Sequence, residues 1–147
     1  MDADRFAYQC VYPAEVMKWK DSLLPLIGCL SIWGCSDVTP EEQASLAAKG
    51  YYEHLINGEY ELFLEGKNGL NKDVEQEYWS QLRDNCCQFI HRQNETHRGI
   101  HEVRVVNAKT DTLLKYTNVF MVLCFGDSTN EEIVVPMVER DGRWFMK

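Results

Sequence analysis

Tyr51-Tyr52-Glu53-His54-Leu55-Ile56-Asn57-Gly58-Glu59-Tyr60 is the stretch on which the fold turns. Ala44, Ala47, Ala48, Tyr51, Tyr52, Leu55 and Ile56 recur at three- and four-residue spacings, the signature of one helical face. Gly58 stands where a helix closes through a left-handed residue. Upstream, Thr39-Pro40-Glu41-Glu42 is a helix start: Thr39 can cap, Pro40 suits the first helical position, and Glu42 can complete a capping box. Downstream, Glu59 to Leu64 reads as a short second helix closed by Gly66. A third helix is expected from about Lys72 to Arg92, with Val74, Tyr78, Leu82, Cys86 and Phe89 in one stripe that Trp79 and Ile90 widen. Asn94 to Gly99 is polar and breaks that pattern.

After Gly99 the period changes. Ile100 to Ala108 is rich in β-branched residues, and Lys109-Thr110-Asp111 is a turn candidate. Leu113 to Phe125 is long enough for a full strand and is apolar on both sides in its second half. Gly126 to Asn130 is a turn cluster, and Ile133 to Glu139 is a third strand. Asp141-Gly142 then supplies a two-residue hairpin turn into Arg143 to Lys147. That turn places Met137, Glu139, Trp144 and Met146 on one face, which is expected to meet the core. Pro136 argues for an edge position or a bulge. Helices grouped ahead of an antiparallel sheet make the chain α+β, with the helices on one face.

Composition narrows the function classes. The 147 residues are 45% hydrophobic and 26% charged, ordinary globular values that exclude a disordered tail. With 15 Lys+Arg against 23 Asp+Glu, the net charge of −8 opposes binding to a phosphate backbone, so no nucleic-acid partner is expected. Six cysteines are too few and too scattered for a disulfide scaffold.

The front of the chain reads as an address label. Lys18-Trp19-Lys20 precedes an uncharged run from Leu23 to Gly34, too short for a membrane-spanning helix, which needs about 20 residues. It matches a signal-peptide apolar region of about 7–15 residues. The run ends Ile32-Trp33-Gly34-Cys35, which resembles the bacterial lipoprotein signal, although Trp33 stands where a small or aliphatic residue is usual. That resemblance implies cleavage after Gly34 and acylation of Cys35. Residues 1–16 are acidic and polar, unlike a signal's start, whereas Met17 opens Met-Lys-Trp-Lys. The expected organisation is therefore a gene-model extension (1–16), a signal peptide (17–34), a tether (35–39) and a single α+β domain (40–147). Loss of residues 1–34 takes away 3 basic and 4 acidic residues and leaves a charge of −7. The expected location is the bacterial cell envelope, facing periplasm or exterior, with acyl chains as the membrane contact. The competing reading makes residues 23–34 a short core segment of a cytosolic protein, with Cys29 and Cys35 as buried thiols.

The order of elements resembles the nuclear transport factor 2-like group, also described as cystatin-like, in which helices fill a strongly curved sheet. Thr39-Pro40-Glu41-Glu42, Tyr51 to Tyr60 and Asp141-Gly142-Arg143-Trp144-Phe145-Met146 carry the likeness. It implies N-terminal helices packed on a curved antiparallel sheet of about four strands. These motifs specify fold better than function. Many small bacterial lipoproteins of unknown function look like this.

The group also includes ketosteroid isomerase-like and polyketide cyclase-like enzymes, whose shared device is an apolar cone holding one acid–base group. Candidates for that role are His54, His101, Glu102, Tyr51, Tyr52, Tyr78 and Tyr116, but no motif ties them together. His91, His97 and His101 lie near the adjacent Cys86 and Cys87, which lack the two-residue gap of a zinc site, so surface histidines are expected. A Cys86–Cys124 bridge is conceivable; buried thiols at both positions with Cys87 partly exposed are the alternative. There is no Gly-rich phosphate loop and no Ser nucleophile elbow. No catalytic residue, metal or cofactor is assigned. The expected function is a membrane-anchored, non-catalytic domain that binds a small apolar ligand or a protein partner, with an oligomer possible. Tyr51, Tyr52, Phe63, Trp79, Phe120 and Trp144 are the candidate pocket residues, and core packing explains each equally well. A small isomerase- or cyclase-like enzyme is the rival class. An assembly partner would show instead as an apolar patch on the outer sheet face.

Overall fold

The computed structural model describes residues 38–67 and 76–147. They belong to one compact unit, Asp37–Lys147. The expected extension, signal peptide and acylated Cys35 lie outside the described residues, as does the expected start of the third helix at Lys72.

Helix α1 (Pro40–Ile56) begins on the capping box read from the sequence. The Thr39 hydroxyl accepts from Glu42 N at 3.2 Å, and Thr39 N donates to the Glu42 carboxylate at 2.9 Å. At the other end Gly58 has φ +79°, Gly58 N donates to Leu55 O, and Glu59 N reaches back to His54 O. These two bonds form a Schellman motif, which satisfies carbonyls the helix leaves open. Helix α2 (Tyr60–Glu65) follows at once and ends at Gly66.

Helix α3 (Gln76–His97) continues past Arg92, where the sequence pattern breaks. Asn94, Glu95 and Thr96 are exposed, and a solvent-facing last turn needs no apolar residue. The helix is stopped by two successive left-handed residues, Arg98 (φ +61°) and Gly99 (φ +84°).

Four antiparallel strands, β1 (Ile100–Asp111), β2 (Tyr116–Phe125), β3 (Asn130–Arg140) and β4 (Arg143–Met146), pair in the order β1-β2-β3-β4. The register of β1 against β2 shifts between Ile100 and Glu102 and again between Val105 and Asn107. Such irregularities bend and twist a strand, and here they help to curve the sheet. The first turn falls later than Lys109-Thr110-Asp111. Thr110 and Asp111 pair with Thr117 and Tyr116, while the Asp111 carboxylate accepts from Leu113 N and Leu114 N at 3.0 and 2.9 Å. Leu113 and Leu114 are thus turn residues, both exposed.

Pro136 is neither at an edge nor in a bulge. β3 is an interior strand, and Pro136 sits opposite Asn118 in unbroken register. Its carbonyl faces the β4 side, where it accepts from Lys147 N at 2.8 Å. In an antiparallel ladder a residue's N–H and C=O point the same way. The missing N–H therefore faces a position just beyond the last β4 residue and breaks no bond with β2. Asp141 (φ +51°) and Gly142 (φ +75°) make the two-residue turn between Arg140 and Arg143. Both central residues are left-handed, which matches the twist of a hairpin.

The inner face of the sheet follows the period of two. Thr117, Val119, Met121, Leu123 and Phe125 of β2 are buried, together with Val103, Val135, Met137 and Met146 from the other strands. Ala44 and Ala48, both fully buried, let α1 lie close to this surface, and Leu55, Phe63, Leu64 and Cys86 fill the remainder. Each fully buried Leu, Met or Phe contributes about 1.5–3 kcal/mol.

Candidate functional site

Five of the six candidate pocket aromatics point to the core side. Tyr51 donates its hydroxyl to Trp144 O at 2.8 Å, and the Trp144 indole reaches the Gln43 side chain at 3.4 Å. Gly66 leaves room for the Tyr51 ring: a Cβ there would come within 2.5 Å of it. Tyr52 meets Phe63 edge to face at 5.7 Å, and Trp79 packs from α3 against the same core. These rings fill space rather than enclose it. Phe120 does not belong with them. Its neighbours Val119 and Met121 face inward, so strand alternation turns Phe120 to the outer face, where it is 37% exposed.

Among the described residues, one buried polar side chain lies on the inner face: Thr117. Thr117 and Thr110 hydroxyls lie 3.0 Å apart, and Thr110 in turn donates to the Glu41 carboxylate. That hydrogen bond holds the Glu41 carboxyl below its ordinary pKa. Burial pushes the Tyr52 phenol up, reinforced by Glu131, and burial also raises the Cys86 thiol. A carboxylate held charged, and a phenol and a thiol held neutral, provide no proton carrier poised near neutral pH.

The other acid–base candidates do not converge. His101 and Glu102 line an open groove of about 270 Å³ with Lys49, Glu53, Ile56, Asn57 and Val103. Lys49 pairs with Glu53 at 3.6 Å, so this groove between α1 and β1 is polar and partly self-neutralised. His54 pairs with Glu59 at 2.6 Å across the α1 terminus. Tyr78 is exposed on α3, and Tyr116 lies beneath the Lys147 ammonium at 4.8 Å.

Histidines and cysteines fall out in ways that spacing alone did not resolve. His97 and His101 are separated by the helix-to-strand junction, and no group of three potential metal ligands occurs among the described residues. His91 pairs with Glu95 at 3.3 Å. His97 bonds Asp127 at 2.9 Å and stacks on Phe125 at 4.6 Å, while Thr129 holds the other Asp127 oxygen through its backbone N–H and its hydroxyl. Bonds from Thr129 and His97 lower the Asp127 carboxyl to about 2. The cluster ties the end of α3 to the β2–β3 turn. Its sequence signal was the Asp127-Ser128-Thr129 turn itself, since aspartate favours such local bonds. Cys86 and Cys124 are free thiols, so the conceivable bridge between them is not formed. Cys87 is disulfide-bonded.

The outer sheet face carries an apolar patch of the kind expected for an assembly partner. Phe120 pairs with Val134, which is 53% exposed, and Val106 projects at the β1 irregularity with 67% exposure. Half-buried Val122, Pro136, Val138 and Phe145 extend the apolar strip along β2, β3 and β4. Arg104 and Glu132 flank Val122 in one row, on β1 and β3. The legible signal was in Val119 to Phe125, apolar at every position and therefore on both sides. A strand covered on one face and wetted on the other alternates instead.

No known protein family matches the sequence, and no curated protein is significantly similar to it. Among solved structures, the fold is similar to a chain from Campylobacter jejuni, provisionally named an NTF2-like transpeptidase. The TM-score is 0.51 at 14% identity, over 67% of this chain and 92% of that one. Likeness at that identity is of fold alone: a nuclear transport factor 2-like α+β domain with helices on a curved four-stranded antiparallel sheet.

Proposed function

We propose that this chain is a lipid-anchored, non-catalytic domain of the bacterial envelope that binds a protein partner on the outer face of its sheet. The observation that carries this reading is the exposed strip of Phe120, Val134 and Val106, continued by Val122, Val138 and Phe145. A contiguous exposed apolar strip rimmed by charge is characteristic of a protein contact surface. On the inner face the described side chains pack on one another, which supports a scaffold over the isomerase- or cyclase-like alternative. The transpeptidase name of the Campylobacter structure is not carried over, because the likeness is one of fold.

The anchor rests on the sequence: Lys18 and Lys20, the uncharged run to Gly34, and Cys35. Two measurements test the reading. Labelled fatty acid should enter the native protein and not Cys35→Ala; label retained by the variant overturns the anchor. A photo-crosslinking residue at Val134 should capture protein in intact cells, whereas the same group at Tyr78 on α3 should not. Equal capture at both positions, or none at Val134, overturns the binding surface.

A further inference from the structure

We infer that Leu113 and Leu114, at the tip of the β1–β2 hairpin, are a membrane wedge that seats this end of the domain in the interface of the bilayer carrying the Cys35 acyl chains. This rests on the lipid anchor proposed above, and it adds a second membrane contact and the orientation of the domain.

Two leucines are out of place in such a turn. Turns favour Gly, Pro, Asn, Asp and Ser, each for a backbone reason, whereas Leu113 and Leu114 are 90% and 62% exposed. Apolar residues scattered singly over a surface need no explanation, but two side by side at a hairpin tip do. The turn holds its shape without them. The Asp111 carboxylate accepts from both their backbone N–H groups, and Lys115 follows in the left-handed region at φ +54°. A turn fixed before contact loses little conformational freedom on insertion.

The fold puts this tip beside the point where the anchor joins the domain. Thr110, next to the last residue of β1, donates to Glu41 in the first turn of α1. Pro40 opens that helix, and the five residues from Cys35 to Thr39 span at most about 18 Å. The ten residues of β2 rise about 33 Å from Tyr116 to Phe125. Acyl chains on Cys35 would therefore hold the Leu113 end of the sheet at the bilayer, and not the end at Gly126. With that end down, the strands lead away from the membrane and the outer face with Phe120 and Val134 stays open to a protein partner.

Charge permits the contact. The β3–β4 turn lies at the same end, because Thr117 pairs with Met137 and Arg140 with Arg143. Lys109, Lys115, Arg140 and Arg143 are exposed there with Glu139 and Asp141. The carboxylates of Asp111, Glu41 and Glu42 are engaged in the turn, with Thr110 and in the α1 cap. This end is thus close to neutral on a chain of net charge −8. Insertion is apolar, and Lys109 and Lys115 can lay their stems along the acyl boundary with the ammonium groups at headgroup phosphates.

Depth-dependent fluorescence quenching tests it on the full chain. An added N-terminal His tag holds the chain to nickel-chelating lipid in vesicles of phosphatidylcholine and phosphatidylglycerol, so the result does not depend on acylation. An environment-sensitive fluorescent amino acid at Thr112 should be quenched by spin labels on the acyl chains; the same probe at Tyr78 on α3 should not. Leu113→Asp with Leu114→Asp should lower the Thr112 quenching by about tenfold or more, with circular dichroism unchanged. An unquenched Thr112 on the tethered native chain, equal quenching at Tyr78, or quenching that survives the double substitution overturns the wedge. The fatty-acid experiment reads the anchor separately. An unquenched Thr112 on a chain that does take up label at Cys35 overturns the wedge alone.

Discussion

Gly66 has no side chain because the Tyr51 ring occupies its place, and Tyr51 in turn holds the β4 backbone at Trp144. Gly66→Ala must push a ring or the backbone aside, so it should destabilise by about 1–3 kcal/mol, read as a lower Tm. Tyr51→Phe keeps the ring and loses the bond, and should cost about 1 kcal/mol. Asp127 gives a pH-dependent signal. Its carboxyl is lowered to about 2 from an ordinary 3.8 by Thr129 and His97. A depressed carboxyl stabilises the fold at pH values above the unfolded pKa, and the stabilisation is lost as pH falls through the folded one. Asp127→Asn should therefore lower Tm at neutral pH, and the difference from the native protein should shrink as pH falls from about 5 to 2. A gap independent of pH would show that the charge of Asp127 is not what matters. The Gly66 contact was not legible in the sequence, whereas the local bonds of Asp127 to Thr129 follow from the turn and only its bond to His97 was hidden. The hidden partners lie far along the chain, Tyr51 in one case and His97 in the other.

Elements governed by neighbouring residues were readable; those governed by distant ones were not. The α1 start needs only Thr39 and Glu42, its end only Gly58, and the last hairpin only Asp141 and Gly142. Thr39→Ala should lower stability by about 1 kcal/mol through loss of the cap, measured by denaturant unfolding. The β1–β2 turn was misplaced because strand pairing, set by the register through the Val105–Asn107 shift, carries Thr110 and Asp111 into the ladder. Pro136 was misjudged for a similar reason. Whether a proline breaks a sheet depends on which side its absent N–H faces, and here β4 ends at Met146 before that bond is needed. Helix α3 ran long because polarity at Asn94 to Thr96 marked a wet face, not a break.

At the scale of the molecule, the architecture followed from the order of elements, but the faces did not. Apolar content identified Phe120 as a pocket residue; only its place in the β2 alternation assigns it to the outside. The same alternation fills the inner face and leaves a charged-rimmed apolar strip on the outer one. That contrast is the centre of the account, and Cys124 reports on it without any substitution. It is a free, half-buried thiol beside Val122 on the outer face, whereas Cys86 is buried in the core. Maleimide labelling of the native protein, in intact cells and after purification at high dilution, measures whether that face is covered. Labelling of Cys124 should be several-fold slower in cells than in the dilute protein, with Cys86 slow in both. Equal rates at Cys124 in the two conditions would mean that nothing sits on the outer face, and would contradict the account.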